Sequence, residues 1–461
     1  MKNLKGKIAL VIFICSWIGL YFLTGSRTPW QDMATGDHIT VHLGDVPSEN
    51  YDRMGFTKAV VNYAPSEDAW LVGTERGELH LISSQGRRLW TRSLGIGKLI
   101  TMSLNNEGTV AYVGENSQSG NLYAVDIKSG DVLWHFEAKD FVGSEPNARS
   151  HPSIVHTVVD KEDNVYANCY RFVISKEGRR GYMAKMLAIS KEGKLLWQFP
   201  QQEAMDSWIN WCDVNDANGR VVLSTSAYDY RQDMKYKDSM YFLSKDKGQL
   251  LNSVRVEPIV PFDNTVMRGS PNFSKDGKYL AAACSDGRGF LFDQEGRVVW
   301  QRAVARPTMI DGSYINASGR DGLATEAGVL FTTINTFNRE NWQLPTPVAH
   351  PGNNSLFMFH YDGTFGYQYE AKGTMEELKL EGNLVAAAIG RNVRTHDYSA
   401  HGALVLESGT GKEVFFAQTE GPCQAVALNR EGTMVAAVEA PAVVKSGKVL
   451  GIHQLHLWHI K

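Results

Sequence analysis

A short unit ending in a large residue recurs along the chain, and it constrains the fold more than any other feature. "GELHLISSQGRRLW" ends at Trp90, "GNLYAVDIKSGDVLW" at Trp134, "YMAKMLAISKEGKLLW" at Trp197 and "GFLFDQEGRVVW" at Trp300. Weaker copies end at Asn252, Tyr367 and Phe415. In each copy a glycine stands four residues before the last position: Gly86, Gly130, Gly193, Gly248, Gly296, Gly363 and Gly411. The unit reads as two short strands about a tight turn, where glycine supplies the positive φ. A lone hairpin is not stable in water, so each unit must lean on further strands.

Those strands precede it. "ITMSLNNEGTVAYVGE", "SPNFSKDGKYLAAACSDG" and "QAVALNREGTMVAAVEA" are each two strands about an Asn/Asp/Gly turn. Trp90 and Trp134 lie 44 residues apart, the length of one four-stranded blade. The reading is therefore all-β, a β-propeller. After the seventh hairpin, Ala425 to Val438 supplies two strands of another blade and "HQLHLWHIK" a third. The chain then stops one strand short. "HITVHLGDV", His38 to Val46, is an orphan strand near the other end. The expectation is an eight-bladed ring closed by this N-terminal strand, which removes an open edge. Seven blades is the alternative count.

"LYAVDIKSGDVLW" resembles the pyrroloquinoline-quinone (PQQ) repeat of quinoprotein alcohol dehydrogenase-like proteins, and "FSKDGKYLAAACSDGRGFLFD" resembles a WD-repeat blade. The resemblance covers about residues 38 to 461. It implies that the repeat positions Trp90, Trp134, Trp197, Trp300, Tyr367 and Phe415 pack between blades. Its eight-bladed members include PQQ alcohol dehydrogenases and a non-enzymatic propeller of the outer-membrane assembly machinery, so it speaks for fold more than for function. The enzymes stack the quinone between a Trp and, in many, a disulfide of adjacent cysteines, with carboxylates for Ca²⁺ and a catalytic Asp. Cys169, Cys212, Cys284 and Cys423 are scattered singly here, with no adjacent pair. Asp206, Asp213 and Asp311 are the carboxylates expected within reach of the channel mouth. No cofactor and no metal are expected, and no residue is assigned a catalytic role.

The N-terminus is of another kind. Lys2, Lys5 and Lys7 precede an uncharged apolar run from Ile8 to Leu23. Residues 1–25 read as a signal anchor or a signal peptide, 26–37 as a linker and 38–461 as the propeller. The three lysines favour an internal N-terminus, which exports the remainder to the periplasmic or extracellular side. Membrane contact is assigned to residues 8–23. Lys plus Arg is 47 against Asp plus Glu at 50, a net charge of −3, which leaves no dense basic footprint for nucleic acid.

Loop length then separates the two faces of the ring. Turns between first and second strands, and between third and fourth, are short, except around "DKEDN" and "ASGRDGLATEAG". The long segments fall on the opposite face, where a scaffold places recognition. Binding candidates near the channel mouth are Arg149, His151, Trp208, Asn210, Trp211, Arg268, Asp311 and Tyr314. Farther out are Trp342, His350, Arg391, Arg394, His396 and His401. Mixed aromatic, Arg and His loops suit a protein or glycan partner. The reading is a membrane-tethered, non-catalytic binding or assembly scaffold. A propeller enzyme, either a PQQ-dependent dehydrogenase or a polysaccharide lyase or hydrolase, is the alternative.

Overall fold

The computed structural model describes residues 33–35, 37–46, 59–95, 97–147, 150–174, 178, 180–226, 234–260, 262, 265–267, 269–338, 348–390, 400–443 and 446–460. The apolar run at residues 8–23 lies outside them. Among the described residues, no helix is long and apolar enough to cross a membrane, and the single α-helix is the short Lys139–Val142.

The chain is all-β, built of curled antiparallel sheets in the manner of a propeller. Most of the described strands fall into eight four-stranded meanders, numbered here in chain order. Meander one is Val60–Ala64, Ala69–Gly73, Glu78–Ser83 and Arg88–Ser93. Meanders two and three begin at Lys98–Leu104 and Ser153–Val159, and their sheets join in one backbone ladder pair, Ser153 with Asn116. Meanders four to seven begin at Ile209–Asn215, Asn272–Phe273, Ser313–Ala324 and Met375–Glu381. Meander eight joins the chain ends. Cys423–Leu428, Met434–Glu439 and Gln454–His459 are completed by His38–His42, in register from His38 opposite Trp458 to His42 opposite Gln454. Met33–Thr35 adds a strand outside His38–His42.

Burial grades outward within a meander. In meander one the second strand, Ala-Trp-Leu-Val-Gly, is buried throughout, because apolar neighbours cover both its faces. The fourth, Arg-Leu-Trp-Thr-Arg-Ser, is exposed except at Trp90. The repeat spacing has a geometric cause. The turn glycines take φ of +61° to +82°. One residue beyond each turn is left over as a β-bulge, such as Leu133 between Val132 and Trp134 or Leu196 between Leu195 and Trp197. The bulge turns the repeat residue toward the next meander.

One turn differs from its sequence reading. "ASGRDGLATEAG" is not a long loop. Ser313–Ala324 is a continuous strand with register shifts at Ala317/Ser318 and Gly319/Gly322, and it ends in a tight turn in which the Thr325 N–H meets Gly328 O at 2.8 Å. Its glycines serve close approach. A Cβ on Gly319 would lie 2.4 Å from Cys284 O, and one on Gly322 2.7 Å from the Ala281 carbonyl carbon.

Candidate functional site

The first strands of the meanders meet one another in sequence, six and seven through Arg320, and the first of meander eight touches the first of meander one. They surround a cavity of about 630 Å³ and a second of about 200 Å³. His156, Trp211, Asp213, Glu377 and Lys379 line both. This channel is where a propeller would carry chemistry, so the engagement of each polar group decides what it can do.

Most of these groups are spent on the seams between meanders. Asn62 Nδ2 donates to Met102 O at 3.0 Å, joining one to two. Ser103 Oγ and Thr157 Oγ1, at 3.0 Å, join two to three. The Cys212 N–H donates to His156 Nδ1 at 3.3 Å, joining three to four. The Phe273 N–H donates to Asp213 Oδ2 at 2.7 Å, joining four to five. The Ala324 N–H donates to Asn272 Oδ1 at 2.9 Å, joining five to six. Arg320 Nη1 and Nη2 donate to Met375 O at 2.9 Å and Glu376 O at 2.6 Å, joining six to seven. The Val426 N–H donates to Glu377 Oε2 at 2.9 Å, joining seven to eight.

Burial sets the two perturbed ionisations of the wall. It pushes the Asp213 carboxyl up to about 7 despite three N–H donors, from Phe273, Val214 and Asn272. It pushes the His156 imidazole down to about 3, helped by the charge of Lys379. With Nδ1 accepting from Cys212, the His156 proton resides on Nε2. A carboxyl near neutrality is a usable acid–base group. Here three N–H groups hold it as an acceptor, which suits a seam bond better than proton transfer. The four described cysteines are free and buried, and burial raises every thiol, those of Cys169 and Cys423 to about 12.

A second set of seam bonds runs around the rim. Trp90 Nε1 donates to Ile127 O at 2.9 Å, and Trp134 Nε1 to Lys191 O at 2.8 Å. Trp197 reaches Lys245 O at 2.8 Å and Trp300 reaches Tyr361 O at 2.9 Å. Asn252 Nδ2 reaches Glu295 O at 2.7 Å, and the Tyr367 hydroxyl Ser408 O at 2.9 Å. Each acceptor lies in or beside the hairpin turn of the next meander. The turn glycine also makes room for the ring: a Cβ on Gly248 would lie 2.3 Å from Trp197, and one on Gly193 2.8 Å from Trp134. Phe415 has no donor and lies tilted against Trp458, 5.9 Å between ring centroids.

The candidates named from sequence have different fates. Arg149, Arg268, Trp342, Arg391, Arg394 and His396 lie outside the described residues. Trp211 lines the channel, edge-on to His156 at 4.6 Å. Asn210 is buried, with Nδ2 2.6 Å from Ser226 Oγ. His350 is buried too. Its Nδ1 accepts the Gly352 N–H at 2.9 Å and its Nε2 meets Arg306 O at 2.8 Å, so it ties two connections together. His401 is buried, with Nδ1 3.3 Å from Glu420 O. Asn210, His350 and His401 are therefore buried within the chain. His151 is half-buried just ahead of Ser153–Val159. Asp311, in the turn before the long strand of meander six, and Tyr314, at the start of that strand, stand on an exposed hairpin and line neither channel cavity. Asp206 accepts the N–H groups of Lys235 and Tyr236 at 2.8 and 3.1 Å.

Trp208 has a more informative setting. Val165–Ile174 and Arg180–Ile189 pair along their whole length, so the hairpin runs on as a two-stranded ribbon. Trp208 packs on its side, 5.6 Å from Tyr182 and 5.2 Å from Tyr170, with Phe172 5.7 Å from Tyr182. Ile174 at the tip is 57% exposed.

Sequence reasoning missed Arg320, Glu377 and Lys379. The signal for the last two was present: Glu377, Lys379 and Glu381 alternate with Leu378 and Leu380 in a first strand, the period that puts all three charges on the channel side. Asp160, Glu162 and Asp216 form the carboxylate cluster whose spacing would suit a cation among the described residues. The Lys245 ammonium contacts all three, at 3.3 Å, 2.6 Å and closer.

Residues 28–232 and 181–317, together more than half of the chain, match the family model described as outer membrane protein assembly factor BamB. The chain belongs to the BamB family. BamB from Moraxella catarrhalis superposes with a TM-score of 0.53 at 13% identity, covering 91% of this chain and 100% of that one. That likeness is one of fold. The Cps50 (Swd1) β-propeller domain from Myceliophteria thermophila gives 0.45 at 10% identity, over 92% of this chain and 100% of that one. Raptor from Chaetomium thermophilum gives 0.49 at 11%, over 79% of this chain and 28% of that one. No curated protein matches the chain by sequence.

Proposed function

We propose that this protein is a non-catalytic binding or assembly scaffold, an eight-bladed ring carried on the exported side of a membrane by the segment at residues 8–23. Each meander is one blade, and residues 38–461 are the ring. Membership of the BamB family is the observation that carries this reading. The spending of channel polar groups on seams supports it, because an enzyme would keep some of them for substrate.

The partner is a protein, and it meets the face that bears the long connections. The aromatic ribbon of blade three and the exposed hairpin of Asp311 and Tyr314 suit the role, since rigid aromatic surface binds at low entropic cost. The face of short turns lies toward the tether. Cross-linking and pull-down from detergent-solubilised envelope should recover a stoichiometric partner. Ile174→Glu with Tyr314→Glu should weaken recovery at least about tenfold while stability changes by less than about 0.5 kcal/mol. Undiminished recovery would show that the surface is wrong. A tight, dye-reducing complex with added PQQ and Ca²⁺ would overturn the non-catalytic reading.

A further inference from the structure

The closing sheet carries a side-chain bond between the two ends of the chain. His38 Nε2, on the N-terminal strand, lies 3.0 Å from His456 Nδ1 on the strand it pairs with. The ring centroids are 5.2 Å apart and the planes differ by 10°. Nitrogens so close with centroids so far apart place the imidazoles end to end, nearly in one plane. Trp458 lies parallel to both, at 5.0 and 4.9 Å. On its other side, His456 Nε2 is 2.7 Å from Glu439 Oε2. Glu439 is buried and also accepts from Gln454 Nε2 at 2.7 Å and from the Gly421 N–H. A carboxylate so engaged fixes the proton on His456 Nε2.

One proton then lies between the two rings. It comes from His38 when both rings are neutral, and from His456 when that ring is the imidazolium paired with Glu439. A second added proton sets N–H against N–H at 3.0 Å, and the bond is lost. End-to-end lone pairs suit a shared proton and not a metal ion, which needs them to converge at an angle. We propose that His38 and His456 form a proton-operated latch on the ring closure, which holds the N-terminal strand at neutral pH and loosens it in acid.

Half-burial leaves His38 within reach of solvent protons. Burial, and secondarily the charge of His456, hold its imidazole below the ordinary histidine range. A histidine lowered in this way contributes stability above its ordinary value and loses it as pH falls through the folded value. The other titratable groups on this face are His42 on the same strand, Glu439 and Cys423 on the sheet, and His401 across the seam. Glu413, on the last strand of meander seven, is engaged by the Tyr369 hydroxyl at 2.6 Å. Met33–Thr35, on the outer side, brings no titratable group. The consequence concerns attachment, because His38–His42 is the strand through which the N-terminal segment joins the ring.

Hydrogen exchange by mass spectrometry on the full chain in detergent tests the latch. After correction for intrinsic rates, protection of residues 38–42 and 454–459 should fall about fivefold from pH 7.5 to 5.0, the worth of one hydrogen bond. The histidine-free hairpin 288–303 should not change. His38→Gln keeps a hydrogen-bonding group that does not titrate, and should abolish the pH dependence. A wild-type course parallel to the 288–303 hairpin, or an undiminished fall in His38→Gln, would overturn the proposal. Should the Gln variant fail to close at pH 7.5, the wild-type course alone decides.

Discussion

The seam between meanders five and six and the seam between eight and one join the same kind of strands by different chemistry. The first is bonded at both radii. Asn272 takes the Ala324 N–H at 2.9 Å on the channel side, and Trp300 donates to Tyr361 O at 2.9 Å on the rim. The second is an apolar interface. Val41, Leu43, Leu455 and Leu457 pack against Val61, Trp70, Val72 and Ile82, and Ile39 takes the place of an aromatic ring over Gly86. Its polar contacts come from arginines of meander one onto main-chain oxygens of the N-terminal segment, Arg88 to His42 and Arg76 to Asp45. A seam inside the chain can use the repeat, because the turn that accepts is encoded in every copy. The meander that closes the ring takes its last strand from the other end of the chain, and that strand, no copy of the repeat, sets Ile39, which has no donor, over the Gly86 turn.

The comparison can be broken at several strengths. Trp300→Ala removes a buried ring and its rim bond and should cost about 3–5 kcal/mol in denaturant unfolding. Trp300→Phe should cost about 1 kcal/mol, the bond alone. Phe415→Ala, at a half-buried ring with no donor, should cost about 2 kcal/mol. Equal losses for Trp300→Ala and Phe415→Ala would show that the rim bonds do not distinguish the seams.

Lys245→Met should cost about 3 kcal/mol, because Asp160 is left buried without its cation. Burial raises the Asp160 carboxyl, but bonds from Asn164 and Tyr166 and the charge of Lys245 outweigh it and hold it below its ordinary value. That contribution is present at neutral pH and is lost as pH falls through the folded value. The variant should therefore lose stability at neutral pH and show a shallower acid transition.

Gly248→Ala should cost about 1–2 kcal/mol, since φ is +61° and the new Cβ would meet Trp197 at 2.3 Å. A Gly86→Ala change, over the aliphatic Ile39, should be milder, because that side chain can shift. Asp213→Asn should have the smallest effect and a distinctive sign. A carboxyl raised to about 7 contributes fully below its ordinary value and loses that contribution as pH rises to 7. Wild-type stability should decline from about pH 4 to pH 7, and the Asn variant should flatten that decline. An unchanged slope would mean that the three N–H donors compensate the charge.

The parts legible in the sequence were those that repeat. The glycine, the bulged residue and the terminal aromatic recur at a fixed spacing because every meander solves one local problem: reversing the chain and aiming a ring at its neighbour. The pairing of His38–His42 with the C-terminal strand was legible for a related reason, since a missing strand and an orphan strand are both visible as departures from the repeat. The channel wall was not. Asn62, Ser103, His156, Asp213, Asn272, Arg320 and Glu377 perform equivalent seam bonds with six kinds of side chain, so no spacing announces them. Arg320 was further hidden in "SGRDG", whose glycines resemble a turn and in fact admit a strand against Ala281 and Cys284.

The sequence by itself determined the local units and the pairing of the chain ends, because turn chemistry and strand period act over a few residues. Only the tertiary structure decided which polar side chains are consumed between meanders, that His350 and His401 are buried, and that two histidines 418 positions apart meet at 3.0 Å. These outcomes depend on which residues of distant segments meet across a seam, and a strand's pattern fixes the face a side chain takes but not the neighbour it finds.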